Sequence, residues 1–157
     1  MTMKEITQVM SLAEKYYPKN KLKHAIRVAN YAYEDAKSRN NVDTIAAFVI
    51  GIAHDLLEDT ECSAEELEAA IGSVYLNTVV TLTKDEVDTY ADYIESIFTS
   101  KNNLAILVKK ADMKDHFMQE DTLTDKLLKK YLPYIKEFLW HDMKLLCLES
   151  KSIIMMH

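Results

Sequence analysis

Glycine and proline, the residues that most often form turns, are almost absent from this sequence. Gly51, Gly72, Pro18 and Pro133 are the only ones among 157 residues. Strands need frequent turns, and turns rely largely on glycine and proline, so their scarcity favours helices joined by short polar loops. Leu, Ala, Lys, Glu and Met, which all form helices well, supply much of the sequence. The sequence therefore predicts an all-α fold.

The spacing of apolar residues predicts where these helices lie. They are expected near residues 3–16, 20–39, 43–58, 63–71, 73–83, 86–99, 102–119 and 122–139, with a last helix into the 140s. Ser63 and Glu66 match a capping box, and Gly72 is suited to end the helix that they begin. Pro133 is expected to kink or break the helix that contains it. The length is that of a single domain, which we predict over residues 1–157.

An apolar stretch ends abruptly in four ionisable side chains within AFVIGIAHDLLEDT, residues 47–60. These side chains form two pairs, His54-Asp55 and Glu58-Asp59. Residues four apart share a helix face, so His54 would lie over Glu58 and Asp55 over Asp59. Burying charge beside an apolar stretch is costly unless the charge is paired or bound to a metal. The motif therefore predicts a cation bound at one helix end.

Further ligands for a cation lie elsewhere in the sequence. His24 is in KLKHAIRVANYA, and Asp112 is in AILVKKADMKDHF; both segments have helical apolar spacing. Together with His54 and Asp55 they give an H…HD…D set on three helices. Two imidazoles and two carboxylates suit Mn, Fe or Zn and are poor ligands for copper(I). We therefore predict one divalent metal ion at these four residues.

H…HD…D is also the signature of the HD-domain metal-dependent phosphohydrolases. The strings GIAHDLLEDTECSAEELEAAIGSVYLNTVVTLTK and LVKKADMKDHF resemble the hydrolase domain of the RelA/SpoT family, which removes the 3′-pyrophosphate from ppGpp. The similarity spans roughly residues 20–120. It implies a small stand-alone enzyme, an HD-domain helical bundle with the metal between three helices, and Mn²⁺ as the ion. It also implies that Glu58 orients the nucleophilic water and that Asp59 assists.

Four residues near the motifs are candidates for contact with a nucleotide substrate. Arg27 lies three residues beyond His24 on the same helical face, and Lys84 matches a Thr-Lys pair of the family. Lys109 is a third candidate. His116, four residues after Asp112, is predicted to be an outer partner of the metal site, a substrate contact or an exposed histidine.

The sequence departs from the RelA/SpoT pattern at positions that bear on the substrate. The first metal histidine lies in LKHAIRVA and not in a YxxHP-like stretch, and His116 replaces an asparagine. Met113 and Met118 replace two arginines. Hydrolysis of ppGpp or a related 3′-phosphorylated nucleotide remains the leading expectation. The alternatives are a nucleoside 5′-monophosphatase, or another nucleotide phosphatase of the HD superfamily, and a nucleotide-sensing module without catalysis.

Charge and cysteine content restrict the partners and the compartment. The net charge is −6 with only two arginines, which argues against duplex nucleic acid as a partner. Cys62 and Cys147 lack CxxC spacing and are typical of reduced thiols in a cytoplasmic protein. No segment has the length and apolarity of a signal peptide or a membrane span, so no membrane partner is expected. The apolar tail SIIMMH is compatible with docking, with pairing in a homo-oligomer, or with fraying.

Overall fold

Every regular element in the described part of the chain is a helix, which confirms the predicted all-α fold class. The structure is a computed structural model that describes the backbone of residues 1–119 and 123–155, and the side chains of residues 1–119, 123–139 and 141–142. The helices are α1 (Met3–Tyr16), α2 (Lys19–Lys37), α3 (Thr44–Ala53), α4 (Leu56–Asp59), α5 (Ala64–Ile71), α6 (Ser73–Leu82), α7 (Tyr90–Thr99), α8 (Asn103–Met118) and α9 (Asp125–Met155).

The chain divides into two compact units, Met1–Met118 and Gln119–His157. The first contains α1 to α8, and the second contains α9. That the whole chain is one domain stays a prediction. The roles predicted for Cys147 and for the tail SIIMMH fall outside the described side chains. Among the described residues, no helix is long and apolar enough to cross a membrane.

Helix α3 forms the centre of the first unit. It packs against α2, α1, α8 and α6, while α2 also packs along α8. A helix that is apolar on all sides must be buried on all sides, and the α3 sequence TIAAFVIGIA has that character. Its buried residues are Ala46, Ala47, Val49, Ile50, Gly51, Ile52 and Ala53. The hydrophobic core is therefore built around the helix that leads directly into His54.

The cap predicted for α5 is confirmed. The Ser63 hydroxyl accepts a hydrogen bond from the Glu66 N–H, and the Glu66 carboxylate accepts one from the Ser63 N–H. Gly72 ends the helix with φ of 81°, a left-handed value that glycine adopts without a Cβ penalty. The predicted start of α7 near residue 86 is four residues too early, because Thr89 caps the helix with its side chain and Tyr90 begins it.

The predicted helix over residues 43–58 is wrong, because the structure breaks it at the His54-Asp55 pair. α3 ends at Ala53, and α4 begins at Leu56. Asp55 has φ of −103° and ψ of 1°, outside the α-helical range. His54 Nδ1 donates to the Gly51 carbonyl oxygen at 2.8 Å, the acceptor that a regular helix would pair with the Asp55 N–H. The resulting turn frees both side chains from the fixed angular spacing of a helix.

The C-terminal helix shows no break at Pro133, and the kink that the sequence also allowed there stays a prediction. α9 continues from Asp125 to Met155 with the proline inside it. Proline removes one N–H donor from a helix and crowds the carbonyl four residues earlier. The turns on both sides of Pro133 retain helical conformation, so the separate helix predicted in the 140s belongs to α9.

Helices α2 and α3 approach each other closely at Gly51. A Cβ built on Gly51 would lie 2.5 Å from the Ala29 Cα and 2.9 Å from the Ala29 nitrogen. Both of these are backbone atoms, so no side-chain rotation could make room. Glycine is required here by the distance between two helices and not by its own backbone angles.

Replacing Gly51 with alanine should destabilise the protein by about 1–3 kcal/mol, the usual cost of overpacking a tight interior. Helix propensity alone predicts the opposite sign, since alanine is favoured over glycine by about 1 kcal/mol inside a helix. Urea denaturation of wild type and Gly51→Ala measures the difference.

Adding Ala29→Gly should not rescue Gly51→Ala, because the two shortest contacts are with the Ala29 backbone. Ala29→Gly alone is the matched control for that double variant. A double variant as stable as Ala29→Gly alone would contradict the backbone contact.

Candidate metal centre

Three segments of the first unit bring five possible metal ligands together. His24 comes from α2, His54 and Asp55 come from the turn between α3 and α4, and Asp112 and His116 come from α8. Two overlapping groups of these side chains have the spacing of a metal site, His24 with His54 and Asp55, and His24 with Asp112 and His116. All five are buried or half-buried. The cluster could therefore hold a metal ion.

The distances between donor atoms fit a single ion. His24 Nε2 lies 3.2 Å from Asp112 Oδ1, and His116 Nε2 lies 3.2 Å from the same oxygen. His54 Nε2 lies 3.3 Å from Asp55 Oδ2 and 3.8 Å from Asp112 Oδ1. His24 Nε2 is 4.0 Å from Asp55 Oδ2. Ligands about 2.1 Å from one ion lie about 3 Å apart when adjacent and about 4.2 Å apart when opposite, which matches these separations.

His54 provides a separate test of the fit. Its Nε2 atom is buried and has no hydrogen-bond partner, while its Nδ1 donates to the Gly51 carbonyl oxygen. A buried polar atom without a partner costs free energy unless something else binds it. Because Nδ1 donates to the carbonyl, Nε2 is the nitrogen that can bind a metal, and its lone pair becomes available when the ring loses its second proton. The His54 environment therefore suits ligation.

His24 is held from its opposite side by a carboxylate that the sequence did not single out. His24 Nδ1 lies 2.7 Å from Asp115 Oδ2, so its Nε2 is directed toward the other ligands. Arg27, predicted as a substrate contact, instead bonds Asp115 with two of its nitrogen atoms. In the sequence Asp115 looks like one more charge on a lysine-rich helix. Its one distinguishing sign is that it lies three residues after Asp112.

Lys109 also pairs with a carboxylate of the cluster. Its Nζ lies 2.8 Å from Asp112 Oδ2, and the lysine is buried. Burial would raise the pKa of Asp112, but the Lys109 charge and the nearby histidines hold that pKa well below its usual range. Lys109 occupies one carboxylate oxygen and leaves Oδ1 to face the histidines. Its predicted contact with substrate stays a prediction.

His116 belongs to the cluster more directly than its sequence position indicated. Besides its contact with Asp112, its ring centroid lies 5.0 Å from that of His24. The i,i+4 spacing from Asp112 placed it on the correct helix face, but spacing alone left three roles open. The structure adds a fourth, that of a metal ligand.

Glu58 and Asp59, the predicted catalytic acids, lie in α4 immediately after the Asp55 turn, and both are exposed. Glu58 Oε2 accepts a hydrogen bond of 3.1 Å from the Lys84 backbone N–H. Asp59 forms an ion pair with Lys21 of α2. The Lys84 ammonium donates to the Asp85 carbonyl oxygen at 2.8 Å. The Lys84 backbone thus contacts Glu58, the residue predicted to orient the water. The predicted contact of the Lys84 side chain with phosphate stays a prediction.

The electrostatics of the turn show how strongly the cluster attracts positive charge. Burial in itself lowers the pKa of His54, but the adjacent Asp55 carboxylate outweighs it and raises that pKa to about 9. Burial in turn raises the pKa of Asp55, and His54 more than offsets this, bringing it to about 2. Without an ion, a proton on His54 therefore balances the Asp55 carboxylate. A divalent cation could take over that role.

Neither protein-family models nor curated proteins gave a match to this sequence. An inference about function therefore rests on the chemistry of the cluster.

Substituting His116 with asparagine should weaken binding of Zn²⁺ at least about tenfold, because removing even an outer partner of a metal ligand has effects of that size. The affinity for Mn²⁺ should fall less, because Mn²⁺ depends more on oxygen donors and Zn²⁺ depends more on imidazole. Isothermal titration calorimetry of metal-free protein with each ion measures both affinities.

Asp55→Asn is the comparison variant, because it replaces an anionic carboxylate with a neutral amide and keeps all three imidazoles. It should weaken Mn²⁺ binding at least as much as Zn²⁺ binding. Unchanged Zn²⁺ affinity in His116→Asn would exclude His116 as a ligand.

Proposed function

We propose that this protein is a metal-dependent phosphohydrolase acting on a nucleotide, similar to a ppGpp 3′-pyrophosphohydrolase. The observation that carries the proposal is the convergence of three imidazoles and two carboxylates within 3.2–4.0 Å contacts, followed within one helical turn of the chain by two exposed acidic residues. Metal ligands together with a carboxylate that can act as a base are the parts that hydrolysis of a phosphoester requires. The HD-domain resemblance of residues 20–120 independently suggests the same chemistry.

The proposed ligands are His24, His54, Asp55 and Asp112, with His116 as a fifth. When bound there, a divalent ion supplies Lewis-acid polarisation of a phosphoryl oxygen and activation of water. The RelA/SpoT resemblance favours Mn²⁺, whereas three imidazoles are equally compatible with Fe²⁺ or Zn²⁺. The proposed compartment is the cytoplasm, in keeping with cysteines that lack CxxC spacing.

Glu58 is the proposed general base. Its carboxylate is exposed, so it can accept a proton from an incoming water molecule, and the Lys84 N–H fixes one of its oxygens. Asp59 assists from the next position, where it forms an ion pair with Lys21. Attack occurs on phosphorus, and positive side chains offset the charge that develops on the transferred group.

The identity of the nucleotide depends on residues that differ from the RelA/SpoT pattern. Met113 is buried with 4% of its surface exposed, so an arginine there would lose its solvent and need a partner. Met118 is 60% exposed and could not replace an arginine in binding phosphate. These two differences favour a changed nucleotide contact while leaving the proposed reaction type in place.

Two observations favour the alternatives in part. The methionines at 113 and 118 leave room for a nucleoside 5′-monophosphatase. The engagement of Asp59 by Lys21, and of Glu58 by Lys84, favours a sensor that binds a nucleotide without hydrolysing it. We rank both lower, because a sensor has no need of a carboxylate exposed beside metal ligands.

The proposed function can be tested with metal-free protein reloaded with Mn²⁺ and incubated with ppGpp, pppGpp, NADPH and the common nucleoside monophosphates. Pyrophosphate released from ppGpp supports the RelA/SpoT-like reaction. Orthophosphate from a monophosphate or NADPH keeps the mechanism and changes the substrate. No release from any substrate, with metal demonstrably bound, would favour the sensor.

Glu58→Gln should lower kcat on the active substrate by about 10²–10⁴-fold, the usual contribution of general-base catalysis. Metal affinity should stay unchanged, because Glu58 lies outside the ligand groups among the described residues. Steady-state kinetics at saturating metal gives kcat, and calorimetry gives the affinity.

Glu68→Gln provides the matched control, since Glu68 is an exposed glutamate on α5. It should retain wild-type turnover. Wild-type turnover in Glu58→Gln would remove Glu58 from the mechanism.

A further inference from the structure

A buried carboxylate next to the candidate metal centre has no role in the reaction as proposed. Asp115 exposes only 1% of its surface and is among the most deeply buried side chains of the first unit. A buried charge is costly unless it is paired and hydrogen-bonded, so its partners show what holds it in place. Those partners are on α2, the helix opposite its own.

Both oxygens of Asp115 are engaged by two residues one helical turn apart. Arg27 Nε lies 2.7 Å from Oδ1, and Arg27 Nη2 lies 2.9 Å from Oδ2. His24 Nδ1 lies 2.7 Å from Oδ2. The guanidinium thus donates two hydrogen bonds to the carboxylate in the bidentate geometry that arginine favours. One of the carboxylate oxygens, Oδ2, also accepts a hydrogen bond from the His24 imidazole.

The bond to His24 decides which ring nitrogen can reach a metal. A carboxylate only accepts hydrogen bonds when ionised, so His24 donates through Nδ1–H, and in the neutral ring the lone pair is then on Nε2. Nε2 is the atom that lies 3.2 Å from Asp112 Oδ1. Carboxylate partners of this kind fix the tautomer and orientation of metal-binding histidines and increase their basicity.

We infer that Asp115 and Arg27 are positioning residues for the metal centre: Asp115 holds His24 in its metal-binding orientation, and Arg27 holds Asp115. This inference rests on the metal site of the proposed function and not on the substrate. It gives Arg27 a different role from the substrate contact that its sequence position favoured. Arg27 is 36% exposed at its side chain, so it covers the outer side of the pair.

A purely structural ion pair between α2 and α8 is the competing explanation. It predicts that removing Asp115 or Arg27 lowers the stability of the metal-free protein and leaves metal affinity unchanged. A positioning role predicts weaker metal binding in molecules that are still folded. The two explanations therefore differ in a measurement that does not require any substrate.

The first variant is Asp115→Asn. It keeps the shape of the side chain and a hydrogen-bond acceptor for His24, but it removes the negative charge and the bidentate hydrogen bonding to Arg27. We expect its affinity for Zn²⁺ and for Mn²⁺ to fall about 10–100-fold, the range measured when outer partners of metal ligands are removed. Calorimetry on metal-free protein gives the affinity, and urea denaturation gives the stability. Affinity within about twofold of wild type would overturn the inference.

The second variant, Arg27→Lys, keeps the positive charge and loses the bidentate grip, so it decides the question if Asp115→Asn does not fold. We expect a smaller but measurable loss of metal affinity, at least about threefold.

Arg39→Gln is the control for these variants, because Arg39 is the other arginine of the chain. It pairs with Asp35, with its Nη2 3.4 Å from Asp35 Oδ2. It should bind metal as the wild type does. Unchanged affinity in Arg27→Lys counts against the inference.

Kinetics separates failure of the inference from failure of the proposed function. At saturating metal, a positioning variant regains most of its activity, whereas loss of a substrate contact raises KM at every metal concentration. A higher KM in Arg27→Lys with unchanged metal affinity would return Arg27 to substrate binding. Absence of hydrolysis by wild type, with the affinity losses present, would defeat the phosphohydrolase proposal and leave the positioning role intact.

Discussion

The contact between the backbones of α2 and α3 at Gly51 and Ala29 determines the geometry on which the candidate site depends. Gly51 lies three residues before His54, and Ala29 lies five residues after His24. With a separation that leaves no room for a Cβ, the two histidine rings come to 5.3 Å between centroids. The same glycine presents the carbonyl that fixes the His54 ring. Packing and ligand orientation are therefore linked through a single residue.

The second constraint is the balance of charge beside the core. Three carboxylates each have a cationic partner supplied by the chain. The pairs are Asp59 with Lys21, Asp112 with Lys109, and Asp115 with Arg27. Asp55 differs, since the side chains that pair with it among the described residues are those of His24 and His54. The chain thus pairs three of these four carboxylates with its own lysines and arginine, and Asp55, with the imidazoles, is available to a cation of another kind.

Local patterns predicted much of the fold and part of the site. The all-α class followed from turn chemistry, and the α5 cap followed from Ser63 and Glu66, because both depend on neighbours in sequence. The break at His54-Asp55 could not be predicted, since it depends on a side chain taking a backbone carbonyl. The role of Asp115 could not be predicted for a related reason. Asp115 matters because it pairs with His24 of α2, and the two residues are ninety-one positions apart in the sequence. Helical periodicity carries no information about so distant a partner.

His116 and Met113 are two positions where a difference in sequence can be compared with a location in the structure. Both lie on α8 beside Asp112, and both differ from the RelA/SpoT pattern. Met113 is buried in the core and His116 contacts Asp112 in the ligand cluster, so the two changes act on different surroundings although only three residues separate them. One removes a possible charge from the interior, and the other adds an imidazole to the centre. A change that enriches the metal site while altering nearby residues is expected to preserve metal chemistry and shift the substrate. For this reason the choice of metal and, under the proposed function, the choice of nucleotide are separate questions.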